Sequence, residues 1–131
     1  MENKKDFIAV IIPCYNEEET IKQVILNFKK DLPNSVIYVC NNNSSDNTKQ
    51  IAIDNGAIVF DEPKKGKANA VENLFRNIDA DYFILSDGDM TYDSSISNHA
   101  LNYLKENNAD MLIGVRKPNS TKKEIYRPGH K

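Results

Sequence analysis

Two carboxylates one residue apart, Asp87 and Asp89 in Ser86-Asp87-Gly88-Asp89, are the first place to look for chemistry in this 131-residue chain. Ionised together they repel, which raises at least one pKa, and a divalent cation relieves that cost. Hard ions such as Mg are commonly held by one or two carboxylates plus substrate phosphates. The glycine between them lets the backbone approach closely. An isolated Asp-x-Asp is more often an Asp-Gly turn. What reverses that preference is its place directly after the apolar run Tyr82–Leu85. A calcium loop counted from Asp87 fails, because Tyr92 falls where a glycine is needed and Asn98 where a bidentate Glu belongs.

Three other segments carry polar groups that could join it. In Pro13-Cys14-Tyr15-Asn16-Glu17-Glu18, Tyr15 offers a flat ring for a base or ribose and Glu17 can accept hydroxyl protons. The run Asn41–Thr48 is rich in short polar side chains that favour turns and caps. Lys64-Lys65-Gly66-Lys67 places cations around a glycine, suited to phosphate or simply to a solvated surface. No Gly-x-Gly-x-x-Gly follows the first apolar run and no P-loop pattern occurs. No nucleophilic triad or zinc cluster is visible; His99 and His130 stand alone.

The elements that must position these groups read as alternating strands and helices. Phe7–Ile12 is a continuous apolar run closed by Pro13, as expected of a strand buried on both faces. Asn16 is expected to cap a helix whose first turn is Glu17-Glu18-Glu19 and whose buried face is Ile21, Val24, Ile25 and Phe28. Further strands are expected at Val36–Cys40, Ala57–Phe60, Tyr82–Leu85 and Met111–Val115. Helices are expected from Ser45 or Asp46 to Asn55, over Ala68–Ile78, and from Ser94 or Ser95 to about Asn107. Such alternation implies an α/β fold with a mostly parallel sheet and ligands at the carboxyl ends of its strands.

Composition bounds the rest. A 40% hydrophobic and 27% charged chain is that of a soluble globular protein, sized for a single domain spanning residues 1–131. A net charge of −2 argues against nucleic acid as a partner. The locally basic stretch Arg116–Lys131 reads as a frayed tail. Cys14 and Cys40 read as buried reduced thiols of a cytoplasmic protein. Neither a signal peptide nor a membrane-length apolar run is expected, so membrane association, at the cytoplasmic face, would come only through a longer parent chain.

Taken in order, IIPCYNEEETI, NNNSSDNT, GKANAV, SDGDMTYD and GVR resemble the family-2 glycosyltransferases with the Rossmann-like GT-A fold, over nearly the whole chain. That resemblance implies a nucleotide-diphosphate sugar as donor and Mn or Mg as cofactor. It would put Pro13, Tyr15 and Glu17 around the base and ribose, Asn41 at the base edge, Asp46 lining that pocket and Lys67 near the donor. Asp87 and Asp89 match the family's Asp-x-Asp, with Asp89 as direct metal ligand and Asp87 at the ribose or a metal-bound water. Arg116 would approach the phosphates or the sugar.

Two departures stand out. The family usually has Asp where this chain has Asn41, which can still accept a hydrogen bond but lacks the charge. Family chains also normally continue well past Met111–Val115 into the acceptor cleft and its general base, so the domain reads as incomplete and the base is expected beyond Lys131. The expectation is an inverting, metal-dependent transfer to a lipid phosphate, polysaccharide or protein acceptor. The alternative is a truncated, inactive donor-binding or assembly domain, whose uncovered apolar surface would favour self-association. A sugar-phosphate nucleotidyltransferase is disfavoured, because Pro13-Cys14-Tyr15-Asn16 lacks that group's Gly-rich basic loop.

Overall fold

The computed structural model describes residues 6–90, 94–107 and 111–113. The elements in chain order are β1 (Ile8–Cys14), α1 (Ile21–Asp31), β2 (Val36–Asn41), α2 (Thr48–Asp54), β3 (Ile58–Asp61), α3 (Lys67–Asn77), β4 (Tyr82–Leu85), a 3-10 turn (Ser94–Ile96), α4 (Ser97–Glu106) and β5 (Met111–Ile113). The five strands form one sheet in the order β3-β2-β1-β4-β5, and every pairing is parallel. The Rossmann-like α/β arrangement expected from the sequence is therefore present. Residues 114–115 of the expected last strand lie outside the described residues.

Burial on both faces accounts for the unbroken apolar character of β1, all seven residues of which are buried. Side chains alternate across the sheet. Ile8, Val10, Ile12 and Cys14 join Ile21, Val24, Ile25 and Phe28 of α1, Ala52 of α2, and Ala100, Leu101 and Leu104 of α4 in one core. Ala9 and Ile11 face the other way, onto Ala70 and Leu74 of α3 and Ile78 beyond it. The central strand is thus sandwiched between helices, and its carboxyl end is held in place from both sides.

Pro13 does not close β1 as expected but lies inside it, opposite Cys40 of β2. The geometry explains why this is tolerated. Pairing of β1 with β4 ends at Ile11 and Leu85, where the Ser86 N–H donates to the Ile11 carbonyl at 3.1 Å. Groups on a parallel strand face its two neighbours alternately, so the next β1 N–H toward β4 would belong to residue 13. Proline lacks it, and the β4 chain is released there to form the Asp87–Asp89 loop.

The first helix also begins later than expected, at Ile21 after Thr20. Asn16 is not its cap. It adopts a left-handed conformation (φ 51°), and the Glu17 carbonyl accepts the N–H groups of Thr20 and Ile21. The groups that would have capped a helix bond instead to the β2–α2 loop and the first residue of α2. Asn16 N–H reaches Ser44 Oγ (2.9 Å), Glu17 N–H reaches Thr48 Oγ1 (2.8 Å), and Asn16 Oδ1 accepts Ser45 N–H (2.9 Å). Long-range bonds have displaced the local ones. Among the described residues no helix is long and apolar enough to cross a membrane.

Candidate functional site

The chain runs outward from β1 to β2 and β3 on one side, then returns to β4 and β5 on the other, so the strand order reverses at β1. In sheets of this kind the loops separate at that point and leave a crevice beyond the strand ends. A cleft of about 250 Å³ lies there, lined by Pro13, Cys14, Tyr15, Glu17, Asn42, Lys67, Ala70, Asp87 and Asp89. Four segments distant in sequence meet in it.

The Asp87–Asp89 loop sits tightly against the β1 exit. A Cβ on Gly88 would fall 2.7 Å from Cys14 Sγ and 3.2 Å from Glu17 Cγ, so the glycine is required for space. The Gly88 carbonyl accepts the Thr20 hydroxyl, tying the loop to the entrance of α1. This close approach carries Asp87 and Asp89 toward Glu17. Burial pushes the Glu17 carboxyl above its ordinary value, and the charges of Asp89 and then Asp87 push it further. Burial likewise pushes the Cys14 thiol well up, which disfavours the reactive thiolate form.

The cations come from the β3–α3 segment. Lys67, the first residue of α3, donates from Nζ to Asp87 Oδ1 at 2.6 Å. Lys65 Nζ donates to the Tyr15 hydroxyl at 2.9 Å and lies 4.6 Å from the ring centroid. Tyr15 itself is 45% exposed, leaving ring surface open to a ligand.

Of the residues singled out from the sequence, the fold brings Pro13, Tyr15, Glu17, Lys67, Asp87 and Asp89 to one cleft. Asn41 and Asp46 are not among its lining. Asn41 Nδ2 donates to Asp61 Oδ1 (3.1 Å) and its Oδ1 accepts the Ser44 N–H (3.3 Å), so its side chain braces β2 against β3. Asp46 accepts the Thr48 N–H (3.0 Å), the Thr48 hydroxyl and the Glu18 N–H (3.3 Å). Burial pushes its carboxyl up, but these hydrogen bonds outweigh that and hold it below the ordinary value. Arg116 lies outside the described residues.

Sequence reasoning missed Asn42. It is buried and lines the cleft. Its Nδ2 donates to the Glu62 and Lys64 carbonyls, and its Oδ1 accepts the Gly66 N–H. Within Asn41-Asn42-Asn43 only strand alternation distinguishes the three, and it cannot say which face meets the lysine loop.

Comparison with protein-family models matches residues 9–131 to Glycosyl transferase family 2. This chain belongs to that family. The family-2 chain is 48% identical over 124 residues to Protein RfbJ of Shigella flexneri, a match covering 95% of each. It is 37% identical over 112 residues to the low-salt glycan biosynthesis hexosyltransferase Agl6 of Haloferax volcanii, covering 83% of this chain and 27% of that protein. Its fold matches the Mycobacterium tuberculosis glucosyl-3-phosphoglycerate synthase crystallised with Mn2+, UDP and glucosyl-3-phosphoglycerate, with a TM-score of 0.68 at 24% identity. That match covers 76% of this chain and 39% of the synthase, and establishes the GT-A fold. The family-2 chain thus spans well under half of the synthase and of Agl6, and nearly all of RfbJ.

Proposed function

We propose that the cleft binds a nucleotide-diphosphate sugar together with Mn or Mg, and that the chain serves an inverting transfer of the sugar to an acceptor hydroxyl. The observation that carries this reading is the meeting of Tyr15, Glu17, Lys67, Asp87 and Asp89 in one crevice at the switch point, in a family-2 glycosyltransferase chain. Tyr15 supplies a flat face for the base or ribose. The start of α3 presents the positive end of the helix dipole, and Lys67 adds a full charge, a combination suited to a diphosphate. Asn41 and Asp46 serve this site by holding the β2–α2 loop. Arg116, by family resemblance, approaches the phosphates or sugar.

The residues present fit a hard divalent cation of a particular kind. Among the described residues no three acidic, histidine or cysteine side chains converge as a ready-made cage. Asp87 and Asp89 instead offer oxygen ligands beside the already crowded Glu17, which suits an ion completed by substrate phosphates. Asp89 is the proposed direct ligand and Asp87 the second. When bound, the metal would stabilise charge building up on the departing diphosphate. Glu17 holds the donor's hydroxyl side, Lys67 meets its phosphates, and the Asn42-anchored loop keeps Lys67 in reach.

The test is calorimetric titration of the chain with Mn2+ plus UDP-, GDP- and TDP-sugars. Metal-dependent binding of one of them is expected, and none binding would overturn the proposal. Asp89→Ala should abolish the metal dependence; if it persists, the metal lies elsewhere. The acceptor class, a lipid phosphate, polysaccharide or protein, is open to the same assay with turnover as readout. A second reading, donor binding without turnover by this chain alone, draws support from the 27% of Agl6 and 39% of the synthase that it spans. Sugar transfer by the isolated chain would refute that second reading.

A further inference from the structure

We infer that Lys67 is an exchangeable counter-ion that couples metal binding to diphosphate binding: its ammonium competes with a metal ion for Asp87, and a diphosphate that draws the ammonium away leaves Asp87 more open to the metal. This rests on the donor-site reading above and goes beyond it by assigning Lys67 a role in the order and cooperativity of binding.

Three observations carry it. First, Lys67 Nζ lies 2.6 Å from Asp87 Oδ1, with the two side chains 61% and 39% exposed. The pair is formed but solvated, hence readily traded for another partner. Second, Lys67 is the first residue of α3, preceded by Gly66 at φ 131°. The helix and the Asn42 hydrogen bonds to its leading loop fix the Lys67 backbone. The flexible four-carbon side chain can then move between Asp87 and an anion at the helix start without moving the chain. Third, the described residues offer no complete metal cage. A metal arriving alone must both displace the ammonium and accept an incomplete ligand set. A diphosphate removes both obstacles together, by attracting Lys67 and by supplying oxygen ligands.

Coupling of this kind is reciprocal: the factor by which nucleotide tightens metal equals that by which metal tightens nucleotide. An exposed ion pair can supply about fivefold of it. The experiment measures free Mn2+ by electron paramagnetic resonance during titration of the full chain, with and without UDP, for wild type, Lys67→Met and Lys64→Met. Circular dichroism confirms that each variant is folded. Wild type should bind Mn2+ weakly alone and more tightly with UDP. Lys67→Met should bind Mn2+ alone about threefold to fivefold more tightly, while the tightening produced by UDP shrinks by a similar factor. Lys64→Met removes the same charge from the same loop and should leave the UDP effect at its wild-type size. An unchanged UDP effect in Lys67→Met overturns the inference, as does an equal loss in Lys64→Met, which would mean a general field. Failure of wild type to bind either Mn2+ or UDP would overturn the donor-site reading itself and the inference with it.

Discussion

Asn42 Oδ1 accepts the Gly66 N–H at 2.9 Å while its Nδ2 donates to the Glu62 and Lys64 carbonyls, so one buried amide ties the end of β2 to the loop carrying Lys65 and Lys67. Both ends of the amide are used, and the bonds require a donor and an acceptor in that orientation. Asn42→Ala is expected to destabilise the fold by about 2 kcal/mol, from hydrogen bonds worth about 1 kcal/mol each with partial rescue by water. Asn42→Asp keeps the acceptor for Gly66 but turns a carboxylate toward two carbonyls, and should also be destabilised. Urea unfolding of both variants checks this; wild-type stability in Asn42→Asp would mean that the donor side contributes nothing.

The contact between Gly88 and Cys14 predicts a coupled pair. Gly88→Ala forces its new methyl to 2.7 Å from Cys14 Sγ, and overpacking of this kind costs about 1–3 kcal/mol. Removing the sulfur relieves the clash. The double variant Gly88→Ala, Cys14→Ala should therefore be more stable than the sum of the two single changes predicts, by about 1 kcal/mol. Strict additivity in denaturation midpoints would show that the loop moves aside instead.

Glu17 sets a pH dependence whose sign is definite. Burial first, then Asp89 and Asp87, raise its folded pKa above the ordinary 4.5. Its contribution to stability is fully present below that ordinary value and is lost as pH rises through the raised one. Above the ordinary value, ionising Glu17 therefore costs the folded state more than the unfolded one. Metal-free Glu17→Gln should melt higher than wild type at pH 7, and the advantage should fade toward pH 4. Melting curves across that range test it; an advantage independent of pH would place its origin outside this titration.

Asp46 acts in the opposite sense. Hydrogen bonds from Thr48 and the Glu18 N–H outweigh burial and hold its folded pKa below 3.8. Its stabilisation is present above that value and lost as pH falls through the lowered one. Asp46→Ala, which removes the acceptor for the Thr48 N–H at the start of α2, should cost about 1–2 kcal/mol at pH 7. The difference should narrow in strong acid, and a difference of the same size at pH 2 as at pH 7 would contradict the assignment.

Much of this architecture was legible in the chain itself. The apolar run around Ile8–Ile12 demanded burial on both faces, and the spacing of Ile21, Val24, Ile25 and Phe28 demanded a helix packed on it; both are found. Where local reasoning failed, tertiary bonds had won. Asn16 and Glu17 have the right types to start a helix, but the β2–α2 loop takes their hydrogen bonds, and the helix waits until Ile21. Pro13 looked like a strand terminator because its missing N–H is visible in sequence, whereas the early end of β4 pairing that makes it harmless is not.

The sequence by itself determined the alternating elements, the types of the candidate ligands and their order, because periodicity and residue chemistry are local properties. Only the tertiary structure decided which of them face one another. The reversal of strand order at β1 set Tyr15 and Glu17 beside Asp87 and Asp89, put Lys67 on Asp87, chose Asn42 over Asn41 for the cleft, and turned Asn41 toward Asp61 of β3 and Asp46 toward Thr48. Those pairings depend on strand register and on which face each residue presents, quantities fixed when the sheet closes and invisible along a single chain.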